Sequence, residues 1–115
     1  MAVKFSWEKL EVLLSEPNCR ELITEYWEEL WPYKKEIPLD VDWDLLSRYE
    51  ADGVFRVWSA RVGGTLAGFV SFYIQPYILA KTTILALDGG HYLSPEFRNR
   101  LDRLGYRMYK TAGIA

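Results

Sequence analysis

The sequence predicts an α+β fold, with N-terminal helices packed on a mostly antiparallel β-meander and one C-terminal helix after it. Three observations predict it. Apolar residues recur at helical spacing through the first fifty positions. From Val54 the period changes to two, and a Gly63-Gly64 pair separates two β-rich runs. After Pro95 helical spacing returns. The chain has 115 residues, the size of one domain, so 1–115 is read as a single unit. Half of it is hydrophobic and 16 % is aromatic, which is ample for a core and excludes a disordered chain.

Ser6 can cap a helix that starts at Trp7, where Leu10, Leu13 and Leu14 share one face. Pro17-Asn18 interrupts, and a second helix spans Cys19 to Trp31. Its apolar stripe is Leu22, Ile23, Tyr26, Trp27 and Leu30, and Glu21, Glu25, Glu28 and Glu29 form a solvated face. Pro32 and Pro38 bracket a loop. Asp42 can cap a short helix from Trp43 to about Glu50, which stops before Gly53. Val54 to Val62 and Leu66 to Gln75 read as a hairpin ended by Pro76. Thr82 to Leu93 reads as a third strand, with a bulge or close backbone approach at Asp88-Gly89-Gly90.

The last predicted helix runs from Pro95 to Ala112. Phe97, Leu101, Leu104 and Met108 form its core stripe, and Arg100, Arg103, Arg107 and Lys110 form a basic one. The start of this helix suits an anion, because unpaired N–H groups and the macrodipole favour negative charge there. The basic stripe is a solvated face or a partner-binding surface, with Arg103, Arg107 and Lys110 as its contacts.

Net charge is −2, so nucleic-acid binding is not expected. The charge is divided, however. Residues 1–50 carry 6 basic and 12 acidic side chains, whereas residues 51–115 carry 8 and 4. The two halves can attract each other across the fold. Cys19 is the single cysteine and cannot form an internal disulfide, which points to a reducing, cytoplasmic setting. No run approaches the roughly 20 apolar residues of a membrane span. No His/Cys cluster has metal-ligand spacing. Asp88 and His91 are the candidates for general acid–base work, since carboxylates and imidazoles are the side chains that most often carry protons in catalysis.

Several segments together resemble the GNAT acetyltransferase superfamily, most closely its small bacteriophage-type members. Tyr26-Trp27-Glu28-Glu29 and Lys35-Glu36-Ile37-Pro38-Leu39-Asp40-Val41-Asp42-Trp43 are similar to the region joining the early helices. Gly53-Val54-Phe55-Arg56-Val57, Ser59-Ala60-Arg61 and Gly64-Thr65-Leu66-Ala67-Gly68-Phe69-Val70 are similar to the first hairpin. Tyr92-Leu93-Ser94-Pro95-Glu96-Phe97-Arg98 resembles the end of the fourth strand and the opening of the acyl-CoA loop.

The resemblance implies acetyl-CoA as the ligand. Main-chain groups of Tyr92, Leu93 and Ser94 would hold the pantetheine. Arg98, Asn99 and Arg100 would open the pyrophosphate loop, with Gly105 as its nearby glycine. The pattern departs from the family at Leu101 and Arg103, which stand where glycines let the backbone approach the pyrophosphate. The sequence also ends with the helix, so a partial GNAT fold without the last strands is expected. These departures favour a non-catalytic protein-binding module. Its partner would be a host factor or defence component, the chain being then a phage protein, or a second copy docked on the exposed sheet edge. The alternative is an N-acetyltransferase whose cleft is completed by a dimer or partner. The setting expected is the cytoplasm, that of the host if the chain is phage-encoded.

Overall fold

The computed structural model describes residues 2–98 and 104–111. The elements run β1 (Val3–Glu8), α1 (Leu10–Leu14), α2 (Cys19–Leu30), α3 (Trp43–Ala51), β2 (Phe55–Val62), β3 (Thr65–Tyr77), β4 (Ala80–Leu93), a 3-10 turn (Pro95–Phe97) and α4 (Leu104–Thr111). The strands form one antiparallel sheet in the order β1-β2-β3-β4. Helices α1 to α3 cover one face and α4 packs on the other. This is the α+β arrangement the periodicity predicts.

Three boundaries differ from the sequence reading. The first is β1. Val3, Phe5 and Trp7 alternate, and the segment pairs with β2 from Val3↔Val62 to Glu8↔Val57. Pairing satisfies a row of backbone groups and buries Phe5 and Trp7 beside Trp58, which outweighs a cap at Ser6. The helix begins at Leu10 instead, where the Leu10 N–H donates to the Glu50 carboxylate at 2.8 Å.

The second is Pro76. It lies within β3 rather than ending it, at a point where the ladder is irregular between Pro76 and Tyr77. A residue without an N–H is tolerated at such a break.

The third is the segment after Ser94. A single 3-10 turn follows Pro95, and Arg98 is then extended, with φ −74° and ψ 136°. The Arg98 side chain folds back onto the end of β4, which draws the chain out of a helical path. Helix α4 is a separate element. Asn99, Arg100, Leu101 and Arg103 lie outside the described residues, as does Ala112.

Elsewhere the local chemistry acts as expected. Asp42 caps α3, its Oδ1 accepting from the Leu45 N–H at 2.9 Å. Gly63 and Gly64 turn the β2–β3 hairpin with φ of 58° and 86°, the positive values such a two-residue turn needs.

The main core lies between the helices and the sheet. It joins Leu10, Leu13, Cys19 and Leu22 to Phe55, Val57, Leu66 and Tyr92. A second cluster on the far face joins Met108 of α4 to Ala60, Val70 and Phe72. Asn18 ties the α1–α2 corner to the sheet through the Leu66 carbonyl at 2.9 Å.

Candidate functional site

The end of β4 gathers most of the residues singled out in the sequence. Ser71 pairs with Gly90 and Phe72 with Asp88, so Gly89 is left over as a bulge. Gly90 has φ 136°, a value that L side chains rarely adopt. A Cβ there would also lie 2.9 Å from the Tyr26 hydroxyl of α2. The bulge is pinned from both strands. The Ser71 hydroxyl donates to the Gly90 carbonyl at 3.1 Å, and the Gly90 N–H donates to Asp88 Oδ1 at 2.7 Å.

Asp88 Oδ2 lies 3.2 Å from His91 Nδ1. Asp88 thus shapes the bulge and orients His91 at the same time. By strand alternation this pair belongs to the α4 side of the sheet, while Gly90 and Tyr92 face α2. Tyr26 meets Phe69 and Tyr92 edge-on, with ring centroids at 6.0 and 6.2 Å. Burial, and then the Asp88 and Tyr73 charges, push the Tyr26 phenol up, so it stays protonated at neutral pH.

A second group begins at Tyr92, the residue after His91, and takes in Leu93, Arg98 and Glu29. The Arg98 fork donates from Nη1 and Nη2 to the two Glu29 oxygens at 2.7 and 2.9 Å, and from Nε to the Leu93 carbonyl at 2.8 Å. The Tyr92 hydroxyl donates to the same carboxylate at 2.6 Å. Arg98 also lies over the Tyr92 ring, 5.1 Å from its centroid. The Arg98 bonds, followed by the Tyr92 bond, pull Glu29 down to about 2. Burial first, and then the Glu29 bond, push Tyr92 up to about 12.

Glu29 and Tyr26 were not among the sequence candidates. Both fitted bland patterns, a solvated face and an apolar stripe. The signal that could have found Glu29 is the charge division between the halves. Among the described residues three ion pairs join them: Glu29 with Arg98, and Glu8 and Glu16 with Arg61.

On the basic stripe, the Arg107 guanidinium lies over the Phe5 ring at 5.6 Å, and Lys110 is exposed in the last turn of α4. Arg103 is outside the described residues, and Gly105 is described only as part of the α4 backbone. Among the described residues there is no group of three or more His, Cys, Asp or Glu side chains fit for a metal. No described helix is long and apolar enough to cross a membrane. An apolar cavity of about 70 Å³ lies under α1 and α2, with Ser71 as its one hydroxyl-bearing lining residue.

No family model and no curated protein matches the chain. Solved structures do. A ribosomal-protein-alanine N-acetyltransferase from Brucella melitensis biovar Abortus 2308 superposes with a TM-score of 0.73 at 19 % identity, over 98 % of this chain and 70 % of that one. A GCN5-related N-acetyltransferase from Ralstonia eutropha JMP134 gives 0.69 at 16 % identity, over 97 % and 74 %. A predicted acetyltransferase from Clostridium acetobutylicum, solved with acetyl-CoA, gives 0.54 at 19 % identity, over 99 % and 77 %. The agreement runs through the helices and the four-stranded sheet, and the chain therefore has, in partial form, the fold of the GCN5-related N-acetyltransferases.

Proposed function

We propose that the chain binds an acyl-CoA along the outer edge of β4 and transfers the acyl group to an amine. The observation that supports this reading is the bulge at Gly89, set in the last strand of the described sheet. An edge strand presents main-chain groups that a ligand can pair with. The coenzyme would supply an acyl group activated as a thioester. Tyr92, Leu93 and Ser94 would hold its pantetheine arm. His91, oriented through Nδ1 by Asp88, is the base for the incoming amine. The Tyr26 hydroxyl stands against the bulge from the α2 side, across the strand from His91, and would be the donor for the departing thiolate.

Isothermal titration with acetyl-CoA tests the reading. Micromolar binding is expected, and no heat at millimolar ligand would sink it. Tyr26→Phe should then lower turnover and leave acetyl-CoA affinity unchanged.

A second reading has its own support. The β3–β4 hairpin turns on Ile78 and Leu79, exposed by 91 % and 80 %, and Ile84 behind them is exposed by 72 %. Such a patch suits a protein-docking module, with a second copy as its partner. This reading takes over if acetyl-CoA does not bind.

A further inference from the structure

Each nitrogen of the Arg98 guanidinium has a partner on its own chain. Its Nε is held by the Leu93 carbonyl, and both Nη atoms are held by Glu29. A carboxylate gripped by two parallel N–H bonds presents its oxygens as a phosphate does. Glu29 also sits in the last turn of α2, where the helix dipole disfavours an anion and no basic side chain shares the turn. What holds it there is Arg98 with the Tyr92 hydroxyl. The pair is open to solvent, with side chains 36 % and 40 % exposed, so a dissolved anion can reach it. Exposed ion pairs of this kind are weakly held.

We propose that Glu29 is an internal stand-in for phosphate: it fills the Arg98 fork when no coenzyme is present, and the pyrophosphate of an acyl-CoA must displace it. The proposal rests on the acyl-CoA reading for its ligand, while its chemistry concerns the fork alone. Displacement favours multiply charged anions, since a single charge gains from Arg98 only what Glu29 already provides. The acyl end of the site would be ready-made and the phosphate end closed by a competitor.

The test is titration of inorganic pyrophosphate and of coenzyme A into the wild-type chain, Glu29→Gln, and Glu29→Gln combined with Arg98→Gln. Removing the competing charge should tighten pyrophosphate binding by about twofold to fivefold, the worth of an exposed ion pair. The double variant should lose that gain. Unchanged or weaker pyrophosphate binding by a natively folded Glu29→Gln overturns the proposal. If that variant does not fold, Tyr92→Phe decides. It removes one bond to Glu29 and should show a smaller gain, and an unchanged affinity counts against the idea. A pyrophosphate gain with no coenzyme A binding in any variant upholds the stand-in and defeats the acyl-CoA reading. Equal coenzyme A affinity in wild type and Glu29→Gln does the reverse.

Discussion

Glu29 shows how one side chain can carry several consequences. Its carboxyl is held at about 2, far below the ordinary 4.5. A carboxylate depressed in the folded state adds stability above its unfolded pKa and loses it as pH falls through the folded one. The window for Glu29 is therefore pH 4.5 down to 2. Glu8 is lowered as well and acts in the same direction. Burial pushes it up, but the Arg61 and Ser59 hydrogen bonds and the Arg61 and Lys4 charges more than offset this. Thermal melts of Glu29→Gln should show a shallower loss of stability below pH 4.5 than wild type, and the difference should shrink in 1 M salt, where exposed pairs are screened. An identical acid limb would mean that the pair contributes nothing to folding. The residue scale is also where sequence reading was weakest. Nothing in the spacing of Glu21, Glu25, Glu28 and Glu29 marks one of them as special, because the partner is 69 positions away.

At the scale of elements, local signals were legible wherever the chemistry was local. Asp42 caps α3, and the glycine pair turns the hairpin. Asp88 meets Gly90 and His91 within three residues, so the bulge could be read from the sequence. β1 was hidden because its partner strand begins more than forty residues later, and the alternation of Val3, Phe5 and Trp7 is short enough to be mistaken for a helix start. The joined helix from Pro95 failed for a similar reason, since Arg98 leaves the helical path for contacts with β4 and α2. Helix α4 has eight residues, too few to be stable alone. Its anchor is Met108, 1 % exposed between Ala60, Val70 and Phe72. Met108→Ala should lower unfolding free energy by about 2–5 kcal/mol in urea. A loss under about 0.5 kcal/mol, the range of surface substitutions, would show that α4 does not depend on this contact.

For the whole molecule, the fold class and the order of helices, meander and closing helix were legible from periodicity, the packing of α4 on the opposite face was not, and the division of charge anticipated the ion pairs between the halves. The hairpin tip was not anticipated, since the segment between Pro76 and Thr82 carries no periodic pattern that assigns it to an element. The exposure of Ile78 and Leu79 predicts concentration-dependent association. Sedimentation equilibrium should give a rising average mass for wild type and a lower one for Ile78→Asp with Leu79→Asp. A wild-type monomer at high concentration would count against the docking reading. Strand β1 carries a consequence in time. It is made before β2, and Val3 waits for Val62 before it can pair. At synthesis rates of about 5–20 residues per second that delay is roughly 3–12 seconds. Through that interval a β-prone segment bearing Phe5 and Trp7 is without its native neighbour. The chain is then most open to capture by a chaperone, or by the same segment on another nascent copy.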